Sequence, residues 1–167
     1  IADEWLTAIL CGDEPGAVVV SHRLDVAEGG TNNRRRIFVD YNEAGQSAGL
    51  PRSVFCKATQ GLQNRMMLGH SGAILCEVSF YNFVRTRIDF EAPRAFHAAY
   101  DPESFNSIIV LEDFAGHAEF CDETTKVDRA FVERQVALLG RMHGQFDRSP
   151  LFEGELSDAD LLGYAHH

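Results

Sequence analysis

The chain has 167 residues, of which 45% are hydrophobic and 24% charged, and it carries a net charge of −10 at pH 7. Such a composition describes a globular domain with a core rather than a disordered segment. An acidic chain of this kind is a poor wrapper of nucleic acid or of an anionic membrane, which would both repel it, so neither is expected as a partner.

The first element in chain order is a helix over Asp3 to Leu10, where Trp5, Leu6, Ile9 and Leu10 have helical spacing and Asp3 stands in a capping position. Gly12 and Pro15-Gly16 end it. Valine-rich Ala17 to Val26 reads as a strand. Glu28-Gly29-Gly30-Thr31-Asn32-Asn33 is a turn of small and polar residues, and Arg36 to Tyr41 returns as a second strand. The two strands make a hairpin with a glycine tip. Asn42 to Pro51 reads as a loop, and Arg52 to Ala58 as a third strand. A helical stretch follows from Asn64 to Arg87, with Gly69 and Gly72 breaking or delaying its start. Within it Ile74, Glu77, Tyr81 and Val84 share a face. Ala95 to Tyr100 and Ser107 to Leu111 read as two more strands, joined through Asp101-Pro102-Glu103-Ser104. Glu112-Asp113-Phe114-Ala115-Gly116 is a turn. Thr125 to Asp128 reads as a capping box that opens a helix running to Phe146, with Val132, Val136, Leu139, His143 and Phe146 on its apolar face and His143 as a packing histidine. Leu151 to Tyr164 is acidic and helical after Ser157. Five strands with a helix after the third predict an α+β fold, an antiparallel five-stranded sheet with that helix packed on one face.

Cysteines at 11, 56, 76 and 121 contain no C-x-x-C and match no metal spacing. Cys56 and Cys76 lie in apolar surroundings and read as small buried hydrophobes, which points to a reducing compartment. With no signal peptide and no apolar run long enough to span a bilayer, a cytoplasmic location is expected. The histidines at 22, 70, 97 and 117 show no ligand spacing. The run Arg34-Arg35-Arg36 reads as a solvated strand edge.

One residue stands out. The chain has two lysines, Lys57 and Lys126, and Lys57 lies inside the third strand, Ser53-Val54-Phe55-Cys56-Lys57-Ala58-Thr59. A lysine there either snorkels from an edge or needs an opposite charge, without which its burial costs on the order of several kcal/mol. Glu77, on an apolar helix face where glutamate is rare unless paired, is a candidate partner; Arg85 and Arg87 could pair with it instead. A bound polyphosphate is the other anion that would match a strand lysine. A glycine-tipped hairpin, a strand lysine and a helix glutamate are together the parts that hold a nucleotide in a protein-kinase-like lobe: backbone N–H groups and a cation meet the phosphates, and the glutamate orients the cation.

Val54-Phe55-Cys56-Lys57, Glu77-Val78-Ser79-Phe80-Tyr81, Ala92-Pro93-Arg94, Ile109-Val110-Leu111-Glu112-Asp113-Phe114 and Leu139-Gly140-Arg141-Met142-His143-Gly144 occur in this order over residues 3–150. In order and spacing the chain resembles the aminoglycoside phosphotransferase and choline kinase-like superfamily, most closely its ecdysteroid kinase-like branch. The resemblance implies a nucleotide-binding lobe over 1–111, a hinge over 112–127 and the start of a larger lobe over 128–167. It implies that Lys57 holds the α- and β-phosphates of ATP and pairs with Glu77. Gly29, Gly30 and Thr31 would lie over the phosphates. The backbone of Glu112 and Phe114 would hold adenine, and Leu111 would line the back of the pocket. The implied activity is transfer of a γ-phosphate to the hydroxyl of a small molecule. The chain departs from the pattern in lacking a His-Gly-Asp catalytic loop and a later metal-binding aspartate: His143-Gly144-Gln145 has no aspartate. The chain begins without Met, ends in His166-His167 and is expected to be a fragment, inactive alone and without catalytic residues of its own, with Mg²⁺ ligands and substrate recognition in a larger lobe outside it. A non-catalytic kinase-like interaction module is the alternative, and a homo-oligomer is possible because the face toward that lobe would be uncovered.

Overall fold

The computed structural model describes residues 1–118 and 120–150. Its strands are β1 (Val19–Leu24), β2 (Asn32–Tyr41), β3 (Ser53–Thr59), β4 (Ala95–Asp101) and β5 (Asn106–Glu112), and its α-helices are α1 (Asp3–Leu10), α2 (Glu43–Ser47), α3 (Leu62–His70), α4 (Ala73–Ser79) and α5 (Arg129–Phe146). All strand pairs are antiparallel, in the order β1-β2-β3-β5-β4. The α+β class and the five-stranded sheet are as expected. After β3 the chain runs through α3 and α4 to the outer edge, lays down β4, and turns back through β5 into the place beside β3.

Strand alternation splits the core in two. On one face Leu6 and Leu10 of α1 join Val19, Ile37, Val39, Tyr41, Val54, Cys56 and Val110. Leu6, Ile37, Val54 and Val110 are fully buried there. On the other face Ile74 and Val78 of α4 join Ile109 and Leu111, with Phe55, Leu68, Tyr81 and Tyr100 packed around them. Helices therefore cover both faces, where one packed helix was expected. The amphipathic pattern of α1 shows that it must be buried but not on which face.

The helical stretch expected over 64–87 is broken into pieces. Gly61 (φ 66°) precedes α3, and Gly72 (φ 71°) turns the chain between α3 and α4. Both lie in left-handed territory that glycine enters without steric cost. After Ser79 the helix loosens into a π-helical turn, Phe80–Val84, and a 3₁₀ turn, Arg85–Arg87. Helix α2 falls in the expected loop. Asn42 caps it by accepting from the Gly45 N–H at 3.1 Å, and five residues are too few to show a period. At the start of α1 the capping position belongs to Ala2, and Asp3 instead bonds His22 at 2.5 Å. Asp128, rather than Thr125, caps α5, accepting from the Phe131 N–H at 2.7 Å. Thr125 is engaged with Asp122, whose N–H bonds its hydroxyl oxygen at 2.8 Å.

The apolar face expected on α5 is real in pattern but uncovered: Val132, Val136 and Leu139 are 46%, 60% and 51% exposed. His143 is exposed as well, not packed. The far end of α5 docks, with Phe146 beside Val84, Phe80 and Ile88 and the Gln145 amide donating to the Arg87 carbonyl at 2.8 Å. The acidic segment expected to turn helical after Ser157 lies outside the described residues.

Candidate functional site

Residues of β2 and β3 that face the α4 side of the sheet are set by register. Arg34 stands opposite Lys57, Arg36 opposite Phe55 and Phe38 opposite Ser53. Directly opposed residues of an antiparallel pair share a face, so Arg34, Arg36, Phe38 and Lys57 lie on one open surface. Below Lys57, α4 presents Glu77, and the two form an ion pair. Their side chains are 25% and 32% exposed, at the mouth of a cleft rather than inside the core. The ammonium is thus matched by a charge of the chain's own. Burial pushes the nearby Tyr81 phenol up, and the Glu77 charge adds to that.

The hairpin tip closes over this surface. Glu28 and Arg34 exchange backbone hydrogen bonds at its base, 2.8 and 3.4 Å long. Gly29, Gly30 and Thr31 lie beyond them, all exposed. Gly30 has φ 151°, a conformation L side chains rarely adopt. Gly30, Thr31, Asn32, Arg34 and Lys57 line a cleft of about 260 Å³. The Asn32 Oδ1 is buried without a donor among the described residues, an unsatisfied acceptor at the cleft wall. The structure therefore brings Gly30, Thr31, Lys57 and Glu77 together. Gly29 enters the group through its carbonyl, which Arg34 reaches at 3.5 Å.

The remaining expected residues sit at the far end of β5. Leu111 is buried beside Ile74, Val78 and Ile109. The Glu112 N–H donates to the Arg94 carbonyl at 2.8 Å, and the Phe114 carbonyl accepts from the His117 and Ala118 amides at 2.9 and 3.1 Å. Those two groups are spent within the chain.

Sequence reasoning missed the clamp beside them. Arg36 Nε donates to Asp113 Oδ2 at 2.5 Å, and the Asp113 side chain is only 4% exposed. Asp25 lies 3.8 Å from the same guanidinium. Burial pushes the Asp113 carboxyl up, but hydrogen bonds from Arg36, Ser53 and the Ala115 amide and the Arg36 charge outweigh it and hold the carboxyl below its ordinary value. The hydrogen bond to Asp113 raises Arg36 in turn, and the neighbouring carboxylates add to it. The arginine run is therefore not a uniformly solvated edge. Arg36 is bound, Arg34 lines the cleft, and Arg35 bonds the Asn33 side chain at 3.1 Å. Period-two alternation separates Arg35 from the other two, but the register that sets Arg34 beside Lys57 is a tertiary fact.

Behind Lys57, burial pushes the Cys56 thiol up to about 11. It stays protonated at neutral pH and is no nucleophile. A larger cleft of about 660 Å³ lies on the α1 side, between α1, the 48–51 turn and β4, away from the Lys57–Glu77 pair. Among the described residues no group of three His, Cys, Asp or Glu side chains could hold a metal ion, and no helix is long and apolar enough to cross a membrane. No protein-family model matches the chain, and no curated protein matches it.

Proposed function

We propose that this chain is the ATP-holding part of a protein-kinase-like phosphotransferase that passes a γ-phosphate to the hydroxyl of a small molecule. The observation that carries the reading is the Lys57–Glu77 ion pair beneath a glycine-tipped hairpin. A polyphosphate concentrates negative charge, and a cation fixed on a strand under exposed backbone N–H groups suits it. Glu77 orients the ammonium through their ion pair. Gly29, Gly30 and Thr31 close over the phosphates, and Gly30 lets the backbone approach without a Cβ in the way. At the end of β5 the base stacks toward Leu111. With the Glu112 N–H and the Phe114 carbonyl already bonded, the base edge is left the Glu112 carbonyl and the Phe114 N–H. Among the described residues no three His, Cys, Asp or Glu side chains cluster as a metal site; the Mg²⁺ ligands and the catalytic base for the transfer belong to the larger lobe.

The test is calorimetric titration of the chain with ATP, for wild type and Lys57→Ala. Loss of a charge-assisted contact to phosphate weakens binding by about tenfold or more. An unchanged dissociation constant in the variant, or no ATP binding by the wild type at millimolar concentration, would overturn the reading.

A further inference from the structure

We propose that Arg34 is a second phosphate-binding cation that takes the γ-phosphate while Lys57 holds the α- and β-phosphates, the two forming a two-point clamp on the chain and so setting a preference for triphosphate over monophosphate. The proposal rests on the nucleotide reading given above and adds to it a residue and a specificity.

Four cations lie on the open face of the hairpin and its neighbouring strand, and three of them are engaged. Lys57 is paired with Glu77. Arg36 is held by Asp113 and Asp25. Arg23 sits over the Phe38 ring, 4.0 Å from its centroid. Arg34 has no carboxylate within ion-pair distance among the described residues. Its one side-chain hydrogen bond there is a long one, 3.5 Å, from Nη2 to the Gly29 carbonyl. Its side chain is exposed, and it lines the same cleft as Lys57 and Gly30.

The charge balance makes this arrangement informative. The Lys57 ammonium and the Glu77 carboxylate sum to zero, so on their own they offer a triphosphate a positioned donor but no net positive charge. Arg34 makes the site net positive. Its place opposite Lys57 in the β2–β3 ladder sets the two Cβ atoms about 5 Å apart, close enough for both heads to reach one phosphate chain. A guanidinium also offers two parallel donors that match a phosphate edge, which an ammonium cannot. The weak hold on the Gly29 carbonyl gives the unliganded arginine a resting place on the glycine tip. Exchanging that contact for phosphate would release the Gly29 carbonyl as the tip closes.

The experiment measures dissociation constants of ATP, ADP and AMP for the full chain as wild type, Arg34→Gln, Arg34→Lys and Lys57→Ala. ATP affinity should fall about ten- to a hundredfold in Arg34→Gln, AMP affinity should change by less than about twofold, and Arg34→Lys should fall between for ATP. The dependence of ATP affinity on salt should flatten in Arg34→Gln, because one charge fewer is neutralised. Thermal unfolding of the variants checks that the fold is intact, and the exposed side chain predicts an unchanged midpoint. Should ATP binding be weakened by Lys57→Ala but not by Arg34→Gln, or should Arg34→Gln weaken ATP and AMP equally, this inference falls and the nucleotide reading stands. A wild-type chain that binds none of the three removes both.

Discussion

The Arg36–Asp113 clamp ties the end of β5 to β2, and its contribution can be estimated from its surroundings. Consider Arg36→Met, which keeps much of the apolar stem and removes the guanidinium. Asp113 is left with a side chain 4% exposed, still accepting from Ser53 and the Ala115 amide. Removing one partner of a fully buried pair costs about 3–5 kcal/mol, whereas exposed pairs contribute about 0–1. Arg36 is 30% exposed and two donors remain, so the loss should be about 2 kcal/mol at pH 7. With a urea slope of roughly 1–3 kcal/mol per molar, the unfolding midpoint should drop by about 1 M. The pH dependence sharpens the test. In the wild type the carboxyl is depressed below its ordinary 3.8, so its stabilisation is complete above that value and is lost as pH falls through the lower folded one. In the variant, burial of the carboxyl is opposed by less, and protonation in acid relieves it. The gap between the two proteins should therefore be wide at pH 7 and shrink toward pH 3. Urea titrations monitored by Trp5 fluorescence would follow it. A midpoint shift below about 0.2 M, or one equal at pH 7 and pH 3, would refute the account.

Two further outcomes concern the scaffold under the site. A Cβ on Gly69 would come 2.4 Å from the Phe105 ring and 2.9 Å from its Cβ, and Phe105 is itself held at φ 56° and stacked on Tyr100. Gly69→Ala should cost about 1–3 kcal/mol by overpacking despite a helix-propensity gain of about 1, and a denaturant double-mutant cycle with Phe105→Ala should show the two changes to be coupled. Leu6→Ala empties a fully buried position and should cost about 2–5 kcal/mol, read as a lower thermal midpoint and faster amide exchange in the strands beneath α1.

Local chemistry that the sequence shows on its face is found in the structure. Ile37 and Val39 at alternate positions marked β2, and the run Ile108-Ile109-Val110-Leu111 marked β5, and a lysine and a glutamate on otherwise apolar elements announced a pair. Gly72 announced a break. What lay beyond reading was either too short to show a period, as with α2, or decided by a competing local bond. Thr125 looked like a cap, but Asp122 takes its hydroxyl, and Asp128 is left to meet the Phe131 N–H. Asp113 looked like part of a polar turn because nothing in its neighbourhood along the chain marks Arg36, 77 residues away.

By itself the sequence determined the α+β class, the five strands and the longer helices, and the suspicion that falls on Lys57 and Glu77. Those follow from side-chain periodicity and from the cost of burying charge, which act over a few residues. Only the tertiary structure decided that α1 and α4 cover opposite faces, that Arg34 stands across from Lys57, and that Asp113 closes on Arg36. Each depends on strand order and register, and a shift of one residue in the β2–β3 ladder would turn Arg34 and Arg36 to the other face and bring Arg35 round beside Lys57.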